Sequence, residues 1–399
     1  MKVVMVSRAP VGSYTSKLVR GFSLARPKDS VKVYGKKGEK RDEQYITLVE
    51  TWTPNLFPFQ VFRQLCRDKP HVVHIQHEFG MFGKPATMAL VPLLYLFLRL
   101  LGVKTISTIH TTIFPDSLSD GSTAELLPIA SWIPRGVIAV GLHLVYGPAC
   151  RLSDLVLVHQ RSQKEKLRRF YGINENKIAF IPHGVDRTEQ EATQESLSRW
   201  KSTIGNRRVA LYFGYLSPRK GIDYLLDAFE RFSRSRPEWM LILAGGLSKE
   251  FYRPYYEHIK DRINRGNLND RILMTGYVPE SDADAIYRLC DFVVLPYTQV
   301  VGNASACNLA MGYAKPVIAS KMSPFTEEIA DGQQGILCSP QDSEQILGAM
   351  EKLSADTELY TDMSRNLLNV KASRDWEVTA QITHSLYESA IAASGLDLA

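Results

Sequence analysis

Residues Leu295–Ser320 read LPYTQVVGNASACNLAMGYAKPVIAS. Phe292–Pro296 ends an apolar strand, and a loop of Gly, Asn and Ser follows. Ala306–Tyr313 reads as a short apolar helix and Pro316–Ala319 as a buried strand. Strand, small-residue loop, helix and strand in that order form the unit of a parallel α/β sheet. The loop also feeds a helix N-terminus. Backbone N–H groups at Ala304–Ala306 would point at an anion there, and the helix dipole favours negative charge.

Outward from this stretch, short apolar runs alternate with helical patterns along the whole chain. The first series is Val3–Val6, Val31–Tyr34, Ile46–Val49, Val72–Ile75, Thr105–Ile109, Leu155–Val158 and Ile178–Ile181. The second is Val209–Phe213, Met240–Ala244, Ile272–Thr275, Phe292–Leu295, Val317–Ala319 and Gly335–Cys338. Near-continuous apolar strands between helices imply parallel sheets covered on both faces. The polar segment Arg187–Asn206 separates the two series and reads as a linker with a surface helix. The fold class expected is α/β, with two Rossmann-like doubly wound domains facing one another across a cleft. Residues 1–190 form the first domain, 191–375 the second, and 376–399 a terminal helix. Ligands of such sheets bind beyond the carboxyl ends of the strands, so the loops there matter most.

The 399 residues allow roughly two to three domains with real cores. A net charge of +6, from 48 basic and 42 acidic residues, suits acidic ligands or an anionic membrane surface; it is too small and dispersed for nucleic acid. Five cysteines without C-x-x-C spacing point to a reducing compartment and away from zinc. MKVVMVSRAP opens on a buried-type strand rather than a signal peptide, so a cytoplasmic protein is expected. Ala89–Leu98 is too short to span a bilayer, and Ile129–Cys150 is interrupted by Pro134, Arg135, His143 and Pro148. Both read as core helices, with interfacial docking as the alternative.

Gly214-Tyr215-Leu216-Ser217-Pro218-Arg219-Lys220-Gly221 follows the first strand of the second domain and precedes the helix Ile222–Phe229. Adjacent cations at a strand-to-helix turn can neutralise a diphosphate, Arg as a planar fork and Lys as a point charge. His74 and His77 sit three apart on an extended chain and point to opposite faces, which argues against a metal cluster with Glu78. Asp282-Ala283-Asp284 precedes the helical run Ala285–Leu289 and reads as an N-cap and a first-turn acid rather than a metal motif.

GYLSPRKGIDYLLDAF, LILAGG, GYVPESDADAIYRLCDFVVLPY, AMGYAKPVIAS and DGQQGILCSPQD occur in this order in the second half. HVVHIQHEFGMFG, TISTIHTT, LVLVHQRSQKEKL and KIAFIPHGVD occur in the first. The ordered set covers nearly the whole chain and resembles the retaining nucleotide-sugar glycosyltransferases of family 4, which have the GT-B fold. The resemblance implies a metal-independent transferase without a cofactor, moving a hexosyl group from a nucleotide-diphosphate sugar to a hydroxyl acceptor. That acceptor would be a glycan, a lipid-linked hydroxyl or a small molecule. It implies catalytic roles for His110, Arg219 and Lys220. Donor contacts would come from Gly214, Val278, Gly302, Asn303, Ala304, Ser305, Ala306 and Asn308. Gly12, Ser13, Tyr14, His77 and Glu78 would line the acceptor side, and Trp376–Ala392 would be the helix that crosses back to the first domain. Two departures stand out. Val301 and Leu309 occupy the positions of a frequent Glu-x7-Glu pair, and Tyr215 stands where many members carry arginine. Sugar and base identity therefore do not carry over. A glycan phosphorylase on the same fold and a non-catalytic sugar-nucleotide-binding scaffold are the alternatives. Peripheral membrane association is a further expectation, from the apolar helices Pro85–Leu101 and Ile129–Val145.

Overall fold

The computed structural model describes residues 1–8, 13–38, 46–78, 80–83, 85–111, 113–114, 133–186, 193–247, 249–300 and 305–393. All thirteen apolar runs are strands. The chain divides into two compact units. The first comprises the described residues of Met1–Gly184 with those of the C-terminal segment from Arg374, and the second comprises the described residues between Val185 and Ser373.

The first unit is a seven-stranded sheet made of β1 (Lys2–Val6), β2 (Ser30–Lys36), β3 (Thr47–Trp52), β4 (Val72–His77), β5 (Lys104–Ile109), β6 (Leu155–Val158) and β7 (Ile178–Phe180). Its order is β3-β2-β1-β4-β5-β6-β7, and every pairing is parallel. All six residues of the central β4 are buried, as helices on both faces require. The helices Phe57–Asp68, Val91–Leu101 and Arg135–Leu152 share one core with Val4, Val6, Val73 and Ile75. Tyr14–Ala25 and Trp376–Ala392 cover the other face, where Phe22 stacks on Tyr387 at 5.8 Å between centroids. Those two helices touch backbone to backbone: a Cβ at Gly21 would stand 2.1 Å from the Trp376 carbonyl oxygen.

The second unit is a six-stranded sheet of β8 (Arg208–Phe213), β9 (Trp239–Ala244), β10 (Ile272–Gly276), β11 (Phe292–Leu295), β12 (Val317–Ser320) and β13 (Gly335–Cys338). Its order is β10-β9-β8-β11-β12-β13, again parallel throughout. Trp239 anchors its core against Phe232 and Phe292, with centroids at 5.4 and 5.0 Å. Strand order reverses between β1 and β4 in one sheet and between β8 and β11 in the other, which marks the loops after those strands as the ligand-binding positions.

Several boundaries differ from expectation. The helix expected over Ile129–Val145 starts at Arg135, after Pro134, and runs to Leu152 with Pro148 inside it; residues 129–132 lie outside the described set. The run Pro85–Leu101 is a 3₁₀ segment to Leu90 followed by an α-helix. The linker helix is Gln194–Ile204, packed on the helix Glu280–Leu289. All five cysteines are free, and four are buried.

Candidate active site

In the second unit, the loops after β8 and β11 are bonded to one another. The β8 loop is also tied to the end of β9, where the Gly214 N–H donates to the Ala244 carbonyl at 2.9 Å and the Leu216 N–H to that of Gly246 at 3.1 Å. Pro218–Lys220 then forms a single 3₁₀ turn. Gly221 closes it at φ +67°, where a Cβ would stand 1.9 Å from the Pro296 carbonyl oxygen. Only glycine serves there, on both counts. The Arg219 carbonyl accepts from the Thr298 N–H at 2.9 Å and the Gln299 N–H at 3.3 Å. Arg219 and Lys220 are half-buried as a result. The Lys220 ammonium lies 3.6 Å from the centre of the buried Tyr297 ring, a cation–π seat that restrains the charge without neutralising it. Burial pushes the Tyr297 hydroxyl pKa up, and Arg219 nearby opposes that rise.

The helix fed by the second loop is Ser305–Gly312. Ser305 is exposed and Ala306 buried, with the Ala306 carbonyl accepting from the Tyr287 hydroxyl at 3.1 Å. Asn308 is buried, and its Oδ1 has no hydrogen-bond partner among the described residues. Leu309 packs against the core, and Val278 is a half-buried neighbour of the same core. Of the expected donor residues, Gly302, Asn303 and Ala304 lie outside the described set, as does Val301.

Asp282 and Asp284 do not cap a helix. The helix begins at Glu280 after Pro279, which places them at its third and fifth positions. Asp282 accepts from the Ser196 hydroxyl at 2.7 Å and pairs with Arg199. Asp284 is buried, pairs with Arg288 at 2.7 Å and accepts from the Tyr313 hydroxyl. Both carboxylates are structural ion pairs.

In the first unit, His110 follows β5 and is held at three points. Its N–H donates to the His77 carbonyl at 3.1 Å, and its carbonyl accepts from the Gln163 side-chain amide at 3.4 Å. Its ring Nε2 lies 2.8 Å from the Gln76 Oε1. An amide oxygen only accepts, so Nε2 carries the proton and Nδ1 keeps its lone pair. Burial, reinforced by His159 and His183, holds the His110 pKa well below 6.5. The Gln76 amide nitrogen lies 3.2 Å from His74 Nε2. His74 in turn meets the Tyr387 hydroxyl at 2.5 Å and the Thr108 hydroxyl at 2.7 Å. A buried polar chain thus runs from the C-terminal helix to His110.

Tyr14 lies at the centre of an aromatic cluster. Its ring meets His110 at 4.6 Å, His159 at 4.8 Å, Trp376 at 5.1 Å and His183 at 5.2 Å between centroids. His159 Nδ1–H donates to the Ile181 carbonyl at 3.0 Å and His183 Nδ1–H to that of Gly184 at 2.9 Å. Burial lowers their pKa values to about 3 and about 4, so both rings are neutral.

The acceptor residues read from the sequence fare unevenly. Tyr14 joins this cluster, and Ser13 caps its helix by accepting from the Ser16 N–H at 3.3 Å; Gly12 is outside the described set. Glu78 is exposed, yet desolvation raises its carboxyl pKa and Arg8 opposes the rise, so it touches solvent in crowded surroundings. His77 is a correction: it is fully buried between Tyr95 and Tyr146 and offers a ligand no surface. Side chains alternate along β4, so His77 goes under the helices with Ile75 while Gln76 emerges beside His74. That same alternation could have singled out Gln76. His159, Gln163, His183 and Trp376 carried no spacing signal, because they meet only in the fold.

The family model for glycosyl transferases group 1 matches residues 194–369, and that for glycosyltransferase family 4 matches residues 24–189. The chain belongs to the family 4 glycosyltransferases. This glycosyltransferase is 23% identical to alpha-D-kanosaminyltransferase of Streptomyces kanamyceticus over 70% of its own length and 69% of the relative's. It is 28% identical to mannosylfructose-phosphate synthase of Agrobacterium fabrum over 54% of its length and 48% of that protein's. The structure of Anabaena Alr3699/HepE in complex with UDP superposes with a TM-score of 0.73 at 17% identity, over 98% of this chain and 100% of that one. The fold of this glycosyltransferase is GT-B, with the two parallel-sheet units described above.

Proposed function

We propose that this glycosyltransferase is a retaining, metal-independent enzyme that moves a hexosyl group from a nucleotide-diphosphate sugar to a hydroxyl acceptor. The observation that carries the reading is the pair of loops at the switch point of the second sheet. Joined through the Arg219 carbonyl, they hold two cations, Arg219 and Lys220, at the carboxyl edge. Breaking an anomeric bond leaves negative charge on a nucleotide diphosphate. Fixed cations in a partly desolvated turn stabilise that charge more as it develops than they stabilise the ground state. The first helical turn from Ser305 adds backbone donors, and Asn308 adds a dry amide oxygen that a donor hydroxyl could satisfy. The resemblance gives His110 the sugar to position. A neutral imidazole with a free Nδ1 lone pair suits that role, since it neither repels positive charge at the anomeric carbon nor needs deprotonation first.

Structures of Anabaena Alr3699/HepE hold UDP and UDP-glucose, which supports a nucleotide-sugar donor, and the name of the kanosaminyltransferase relative supports transfer of a sugar group. Metal independence is supported by Asp282 and Asp284, each already paired with an arginine. A panel of nucleotide sugars, followed by proton NMR of the first-formed sugar, tests the reading. Release of the donor's own anomer in the presence of EDTA is expected; the opposite anomer, or turnover that returns only with a divalent ion, contradicts it.

A further inference from the structure

Among the described residues, most exposed large hydrophobic side chains of the first unit lie on three helices. They include Leu56 and Phe59 at the helix Phe57–Asp68, Leu96 and Leu100 on Val91–Leu101, and Val140 and Leu144 on Arg135–Leu152. Leu100 is 72% exposed. The second and third helices each repeat the exposed residue at i, i+4, opposite buried stripes that include Leu94 and Leu98 or Leu142 and Val145. The three helices lie side by side on one sheet face, over a single core. Phe97 brings the first two stripes together, its ring 5.4 Å from Phe59 and 4.9 Å from Phe62. Scattered apolar residues on a surface need no explanation, but adjoining stripes on neighbouring helices do.

Among the described residues of these three helices, the exposed charge has one sign. Arg63, Arg67, Arg99 and Arg135 are exposed, and none has an ion-pair partner among the described residues. The only carboxylate within the three helices is Asp68, which is taken up by Lys32 at 3.0 Å and by the Tyr34 hydroxyl. No described helix is long and apolar enough to cross a membrane. We propose that this three-helix face docks on an anionic lipid surface, its leucines and phenylalanines entering the acyl boundary and its arginines meeting lipid phosphates. A second copy of the chain fits less well, because a two-fold interface through this patch would set arginines against arginines. Resting on the transferase reading, the inference narrows the acceptor to a hydroxyl carried on a lipid.

Vesicle flotation of the full chain tests it, with phosphatidylglycerol–phosphatidylcholine vesicles compared with phosphatidylcholine alone. Binding to the anionic vesicles is expected, weakened by high salt. Arg63→Glu and Arg99→Glu should each lower the partition coefficient by roughly fivefold or more. Leu96→Glu with Leu100→Glu should abolish binding while melting temperature and nucleotide affinity stay unchanged, since both side chains point away from the core. Absence of binding to anionic vesicles overturns the proposal, as does binding indifferent to these variants. So does a dimer in sedimentation velocity that Leu100→Glu converts to monomer. Vesicle binding without nucleotide binding would leave this face in place and remove the transferase reading instead.

Discussion

Gln76 shows how much a single buried amide can decide. Its oxygen accepts from His110 Nε2–H and its nitrogen lies toward His74, so it fixes both the ring's orientation and which nitrogen carries the proton. Gln76→Ala should lower turnover roughly fivefold, the equivalent of about 1 kcal/mol for one neutral hydrogen bond, with little change in donor KM. Gln76→Glu keeps an acceptor in place but adds a negative charge that raises the His110 pKa from its depressed value. Its pH–rate profile should therefore lose activity at a higher pH than wild type on the acid side. Two wild-type-like profiles would make Gln76 a packing residue only. His110 itself was legible as a strand-end histidine, and Arg219 and Lys220 as cations at a turn. The groups that set the state of His110 lie farther off in the chain, Gln76 by 34 residues and Tyr387, which acts through His74, by far more, which local pattern does not reveal.

At the scale of elements, strands were the most legible feature, because burial on both faces writes them as uninterrupted apolar runs. Helix starts were less so. Glu280–Asp284 is polar enough to pass for a cap region, yet the helix begins at Glu280, directly after Pro279, and the two aspartates are its side-chain anchors. Asp284 ties its own helix to Tyr313, beside the helix Ser305–Gly312. Asp284→Ala should cost about 1.5–3 kcal/mol in urea unfolding, as expected for hydrogen bonds to a charged group with a partly exposed arginine partner. Chelator should leave wild-type turnover intact. An Asp284→Ala protein of undiminished stability whose turnover has become metal-responsive would reopen these carboxylates as a metal site. Leu309 makes a related point: where the family often places glutamate, this chain turns the side chain into the core of the second unit.

Across the whole molecule, titratable histidine is unevenly distributed. Of nine histidines, only His258 lies in the second unit, and it is half exposed. In the first unit, burial holds His74 and His159 at about 3 and His77 and His183 at about 4. Each of these is neutral when folded but gains a proton below about 6.5 when unfolded. The stability they contribute is present above that pH and is lost as pH falls toward 4, by roughly 1.4 kcal/mol per pH unit for each histidine. Calorimetry from pH 7 to pH 4.5 should show the first unit melting progressively earlier and separating from the second. A single transition with the same shift throughout would mean that the two units unfold as one, or that these rings are not held neutral.

The central claim is that Arg219 and Lys220 grip a nucleoside diphosphate at the joined loops of the second sheet. Titration calorimetry of wild type and Lys220→Ala against a panel of nucleoside diphosphates, UDP included, tests it most directly. Binding of at least one of them is expected. In a Lys220→Ala protein with an unchanged melting temperature, that binding should weaken by about 1.5–3 kcal/mol, the range for a charge-assisted contact, or roughly ten- to a hundredfold in Kd. Equal affinity in the folded variant, or no binding of any diphosphate by the wild type, would contradict it.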